Sequence, residues 1–129
     1  MNRLYNVVDL IGRVFLGALF IWDGWTMVQN YAGTADYMAQ HGLPAILLPP
    51  TLATLLGGGV LVALGLWTRL AALALGLFCL STALIFHAGS ADFNEQIQFW
   101  KDLALSGGFL VLLANGARTL SVDALMRHA

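Results

Sequence analysis

Asp23, His87 and Lys101 are the residues of this chain whose chemistry and placement suit a reaction. A carboxylate and an imidazole exchange protons near neutral pH, and an ammonium steadies an oxygen that gains negative charge. Each of the three stands at an end of a long apolar stretch, with Trp22, Trp25 and Trp100 close by in sequence. If those stretches cross a bilayer, all of these groups arrive at one edge of it. Asp23 and His87 would then act as the catalytic pair, Lys101 would hold a substrate oxygen, and Trp100 would stack on a ring. The same residues also describe an interfacial belt, in which Trp and charged side chains anchor helix ends at headgroup depth.

A second charged group lies at the other end of the first apolar stretch. Asp9 and Arg13 stand four apart, the spacing of a structural pair on a helix. Alternatively, Arg13 binds substrate or a headgroup as an anion site. At about 100° per residue, Arg13 lies roughly 40° from Asp9, with Asp23 roughly 40° to its other side. The three charges share one face, which should turn into a bundle because charges facing lipid are costly. Asp23 lies about 21 Å from Asp9 along the helix axis, hence near the outer edge.

No metal site is expected. His41, His87, Met27, Met38 and Cys79 are scattered without ligand spacing, and His128 belongs to the tail. The single cysteine, Cys79, excludes an internal disulfide and a CxxC pair. Phosphate-loop, nucleophile-elbow, flavin and nicotinamide fingerprints are all missing, so the chain itself carries no cofactor. A lipid quinone or a partner protein would have to carry electrons.

The elements that position these groups are helices of membrane length. From Thr51 to His87 the only formal charge is Arg69. One straight helix over that stretch would reach about 55 Å, against a hydrocarbon core of ~30 Å, so two helices joined by a turn at Trp67-Thr68-Arg69 are expected. Four spans follow, at about 7–28, 51–67, 70–87 and 99–115. Between the first two, Thr34 to His41 reads as a short interfacial helix capped by Thr34 and ended by Gly42 and Pro44, with Tyr37 and Met38 against the membrane rim. Pro49-Pro50 opens the second span, where missing N–H groups cost nothing. Gly17, Gly24 and Gly57-Gly58-Gly59 permit close helix approach, either within one bundle or between copies. The connection from Ala88 to Gln98 carries Asp92 and Glu95, and the tail from Ala117 to Ala129 reads as polar with a brief terminal helix.

Composition agrees. Hydrophobic residues make up 59% of the chain and charged residues only 10%, against about 25% charged in soluble domains. A net charge of -1 argues against a nucleic-acid binder. Asp9 and Arg13 interrupt the first apolar region, so it is expected to stay as a helix of the mature protein. Arg3, Arg13, Arg69, Arg118 and Arg127 fall on one side and Lys101 alone on the other, which puts both termini and the short turn in the cytoplasm. The expected fold is all-α: a single domain over 1–129, an integral membrane bundle of four transmembrane helices.

Several motifs fall in a familiar order. Gly-Leu-Trp-Thr-Arg at 65–69 closes the second helix after Gly58-Gly59, and His87 ends the third. Phe99-Trp100-Lys101-Asp102 opens the fourth, which carries Gly107-Gly108 and is followed by Asn115-Gly116 and Ser121-Val122-Asp123. With Arg13 and Thr34, Tyr37-Met38, Gly42 and Pro44, this order resembles the DoxX family over nearly the whole chain. The resemblance implies a bacterial inner-membrane protein of four helices. The family is named for the small subunit of an archaeal thiosulfate:quinone oxidoreductase, and other members are linked to quinone or thiol redox stress. Two positions depart from the pattern. Many relatives carry a Lys late in helix 1, where this chain has Met27, and a Glu early in helix 2, where it has Leu55. Chemistry that uses such an intramembrane pair does not carry over.

The expectation that results is a membrane subunit of a quinone- or sulfur-linked redox system, with a quinone handled at the outer leaflet. Asp9, Arg69 and Asp102 are expected as structural polar groups. The bilayer is the certain partner, and a redox protein or a second copy a further one. The rival is a non-catalytic scaffold that anchors partner proteins. A small-solute transporter fits less well, since four short helices leave little room for a pathway.

Overall fold

The chain folds into helices whose apolar faces cannot be served by water, and the computed structural model shows how they pair. It describes residues 2–87, 89 and 91–127, with Asn2 and His87 described by backbone alone. The order is α1 (Asn2–Gln29), α2 (Tyr31–Gln40), a 3-10 turn (Ala45–Leu47), α3 (Leu48–Leu64), α4 (Thr68–Thr82), a π segment (Ala83–His87), α5 (Phe93–Asn115) and α6 (Val122–Arg127). Four segments of the described residues are long and apolar enough to cross a membrane: Arg3–Gln29, Ala45–Leu64, Thr68–Phe86 and Phe93–Asn115. Helix α1 packs on α3, α3 on α4, and α4 on α5.

Packing is set by small residues at the crossings. A Cβ on Gly17 would come within 2.4 Å of the Gly59 carbonyl oxygen, and one on Gly59 within 2.8 Å of that of Gly17. The backbones of α1 and α3 therefore touch, the arrangement expected where lipid offers no hydrophobic drive and close contact must supply the attraction. Around this crossing lies a core of Phe20, Leu55, Val62, Leu75, Cys79 and Phe109. Leu4, Phe15, Leu70, Leu77, Leu84 and Leu110 point outward and are exposed. Polar Arg13, Thr68, Ser106 and Ser121 are buried instead, a distribution suited to a lipid exterior.

Several boundaries differ from those read in the sequence. Helix α3 ends at Leu64, because Gly65 takes a left-handed φ of 72° and closes the helix. Leu66 N–H donates to Leu61 O at 2.9 Å and Gly65 N–H to Val62 O at 3.2 Å, a Schellman close. The turn is thus Gly65-Leu66-Trp67, and Thr68 and Arg69 already belong to α4. Helix α5 starts at Phe93, not Phe99, because the Asp92 carboxylate accepts from Asn94 N–H at 2.9 Å and Glu95 sits in the first turn, where the helix dipole favours it. Thr34 is inside α2 rather than its cap; its hydroxyl donates to Asn30 O at 2.9 Å. Helix α1 starts at Asn2 and α3 at Leu48, each a turn or so earlier than expected.

Candidate functional site

At the end of the bundle away from the termini, α1, α2, α4 and α5 all contribute residues to one space. The result is a cavity of about 520 Å³. Its polar residues include Asp23 from α1, Thr82 from α4, Gln98, Lys101 and Asp102 from α5, and Tyr37 from α2. Its remaining walls are mainly apolar, among them Phe20, Trp22, Met38, Phe78 and Phe86. A largely apolar pocket of a few hundred Å³ with a few convergent polar groups is the usual form of a small-molecule site.

Each polar group has a structural reason to face inward. Asp23 continues the buried face of α1, two turns beyond the Gly17 crossing. Asp102 and Lys101 lie two turns into α5, beyond its Asp92 cap. Asp23 interacts electrostatically with the like-charged Asp102 and with the opposite charge of Lys101. The Thr82 hydroxyl stands 3.1 Å from Asp102 Oδ2 and 2.9 Å from the Cys79 carbonyl oxygen. It is the last residue before α4 widens into the π segment, a distortion that recurs at functional sites.

Helix α2 is held over the cavity by aromatic contacts. Tyr37 stacks on Phe86 with centroids 5.2 Å apart and meets His41 at 4.7 Å, while His41 meets Phe86 at 4.6 Å. Burial, and after it the Glu95 carboxylate, hold the Tyr37 phenol above its ordinary value of 10.0, so it remains a hydrogen-bond donor across the physiological range. Met38, expected at the membrane rim, is buried beneath the helix.

The family model described as DoxX matches residues 8–88. The chain belongs to the DoxX family. It is 38% identical to the inner membrane protein YqjF of Escherichia coli (strain K12), over 98% of this chain and 97% of that one. It is 32% identical to the inner membrane protein YphA of the same organism, over 91% of this chain and 89% of the other. A third relative, from Bacillus subtilis (strain 168), is named "Putative oxidoreductase CatD" and is 32% identical over 95% of this chain and 90% of its own length. No solved structure matches the chain at a significant level. DoxX membership, the names of the two Escherichia coli relatives and the four apolar spans together make this a multi-pass inner membrane protein.

The site residues expected from the sequence divide three ways. Asp23 and Lys101 meet at this cavity, and Asp102, expected only as a structural group, joins them there. Trp100 does not line this cavity; it is 66% exposed and packs edge-on against Phe99 at 5.5 Å. One helix position separates it from Lys101, a rotation of about 100° that carries its ring out of the gap. Trp25 likewise faces outward. The side chain of His87, the expected partner of Asp23, lies outside the described residues.

Arg13, expected to bind substrate, is at the opposite end of the bundle and takes no part in that cavity. Its side chain is 2% exposed. Nε donates to Asp9 Oδ2 at 2.9 Å, Nη1 to the Val62 and Ala63 carbonyls at 3.2 Å each, and Nη2 to the Leu120 carbonyl. Arg13 thereby satisfies carbonyls at the C-terminal end of α3, groups that a helix cannot pair for itself. A companion, Asp123, was not singled out in the sequence. Its Oδ1 accepts from Trp67 N–H at 2.7 Å, and its Oδ2 from Thr68 N–H at 3.0 Å and the Thr68 hydroxyl at 2.7 Å. Trp67 is the one described non-glycine residue with positive φ, 47°, and it offers no local cap to α4, so the cap arrives from the tail. Burial pushes the Asp123 carboxyl up, but the Thr68 and Trp67 bonds and the Arg127 charge outweigh it and hold it below 3.8. An aspartate just inside a short helix after Ser121, in a tail otherwise rich in Arg, was the available signal.

Proposed function

We propose that the chain is a membrane subunit of a redox system whose outer cavity receives the ring of a lipid quinone. The observation that carries this reading is the meeting of Asp23, Lys101 and Asp102 on one cavity that is otherwise mainly apolar. The residues fit such a ring. Its carbonyl oxygens need donors, which Lys101 and Tyr37 provide, and its faces need apolar or aromatic walls, which Phe20, Phe78 and Phe86 provide. A quinone supplies two-electron redox chemistry when bound. In this reading Lys101 orients a ring oxygen, while Asp23 and Asp102 take up or release protons toward the outer water. The electrons would be exchanged with a partner protein. The oxidoreductase name of the Bacillus subtilis relative supports the redox class.

The test is quinone retention by protein purified into lipid nanodiscs, for wild type, Asp23→Asn, Lys101→Ala and His87→Ala. Loss of a charged hydrogen-bonding partner in a half-buried site should weaken binding by about tenfold or more. Undiminished quinone binding and redox turnover in Asp23→Asn and Lys101→Ala, with Cys79 still protected from thiol reagents, would sink the proposal. A chain that retains no quinone but co-purifies with a stoichiometric partner would instead be a scaffold.

A further inference from the structure

The cytoplasmic end of the bundle holds a second cavity, of about 760 Å³, that the redox reading does not use. Trp67, Arg69, Asn115, Gly116, Asp123 and Arg127 are among its lining. Two arginines thus line one space from two separate elements, the start of α4 and the end of α6. Arg69 is also placed rather than loose. A Cβ on Gly116 would lie 3.0 Å from its Nε and 3.6 Å from its Nη2, so the guanidinium rests across the backbone that follows α5. Gly116 has φ 69°, which a side chain would resist, and the missing side chain leaves room for Arg69.

The charge balance favours an anion. Among the described residues Asp123 contributes the cavity's one carboxylate; it accepts three donors from Trp67 and Thr68 and is attracted by Arg127, which leaves two arginine charges against one. The cytoplasmic ion pair among the described residues is Arg13 with Asp9, and Arg118 donates to Asn6 and lies over the Tyr5 ring. No hydrogen bond from the Arg69 or Arg127 guanidinium is made to the described residues. Trp67, 59% exposed, and Leu70, 66% exposed, flank the cavity with apolar surface. A Trp beside arginines at a helix end marks headgroup depth on the cytoplasmic side.

We propose that this cavity binds a phosphate group between Arg69 and Arg127, supplied by the surrounding leaflet as the headgroup of an anionic phospholipid. Paired guanidiniums match phosphate oxygens geometrically as well as electrostatically. The inference is independent of what occupies the outer cavity.

The measurement is native mass spectrometry of the full chain from micelles containing phosphatidylglycerol and phosphatidylcholine in equal amounts. Wild type should retain phosphatidylglycerol preferentially. Arg69→Ala and Arg127→Ala should each reduce that preference about fivefold, and the double variant about 25-fold. Arg3→Ala removes a cytoplasmic charge outside the cavity and should leave the preference intact. Arg69→Lys with Arg127→Lys keeps both charges without the planar forks and should fall between wild type and the double alanine variant. Soluble glycerophosphate, titrated against the retained lipid, separates the sources. Displacement at millimolar concentration means the cavity takes phosphate from either source, and resistance means the lipid is the ligand. The proposal is overturned if the double alanine variant keeps the wild-type preference, or if Arg3→Ala lowers it as much as Arg69→Ala does.

Discussion

Asp123→Ala tests what holds the end of the bundle near the termini together. The substitution leaves the Trp67 amide, the Thr68 amide and the Thr68 hydroxyl without their acceptor. Hydrogen bonds to a charged group contribute ~1.5–3 kcal/mol each when well shielded, so three would sum to roughly 5–9 kcal/mol. That sum is too large here. The Trp67 bond is exposed, and water will replace much of it. Thr68 is 1% exposed and has no such rescue. Removing a helix cap typically costs ~0.5–2 kcal/mol, and Trp67 must also keep a left-handed backbone that costs ~1–2 kcal/mol for an L-residue. A loss of about 2–3 kcal/mol follows. Cys79, the single cysteine and 1% exposed, provides the assay, because its labelling by a maleimide in rising dodecyl sulfate reports opening of the bundle. The equilibrium for exposing the thiol should shift by about 30-fold to 150-fold, with Asp123→Asn intermediate because one acceptor oxygen survives. Asp36→Ala, on the exposed face of α2, is the control. Equal labelling of Asp123→Ala and Asp36→Ala at neutral pH would refute the reasoning. Acid supplies a second check. The Asp123 carboxyl is held below 3.8 in the fold, so its contribution is complete above that value and is lost as pH falls through the lower folded one. Lowering the pH through that window should narrow the gap between wild type and Asp123→Asn.

Three further outcomes follow from the packing. Gly65→Ala should be more damaging than Asp123→Asn, because a Cβ there would lie 2.4 Å from Ser121 Cβ and 2.5 Å from Arg13 Nη1, at a φ of 72°; the same labelling assay would show it, and a neutral result would mean that the turn relaxes freely. Gly17→Ala should cost about 1–3 kcal/mol by forcing α1 off the Gly59 carbonyl, whereas Gly12→Ala, with nothing within 4 Å, should be neutral. Leu55→Glu places a carboxylate in a site that is 0% exposed. It should destabilise by roughly 3–5 kcal/mol, and pairing it with Met27→Lys should recover part of that loss in the same assay.

The sequence made the four spans legible because hydrocarbon imposes a length and a composition that a run of residues either meets or does not. Gly17 could be read as a crossing point, since a small residue beside a charged face has few other uses in lipid. Element ends were read less well. The start of α5 at Phe93 depends on Asp92 turning back onto Asn94, and the end of α3 depends on Gly65 rather than on the next charge, Arg69.

What the sequence by itself determined is an all-helical, four-span membrane protein with its charges gathered at the two ends. What only the tertiary structure decided is which charges meet. Arg13 read as either a structural partner of Asp9 or an anion site, and Asp123 was not singled out, yet the fold uses both on orphan backbone groups of α3 and α4 that lie far from them in the chain. Asp102 read as structural, yet it lines one cavity with Asp23 and Lys101, while Trp100, two positions earlier, turns outward. The physical reason is that helix periodicity fixes the face a residue occupies on its own helix. The rotation of one helix against the next is set by contacts such as Gly17 on Gly59, which belong to no single stretch of sequence.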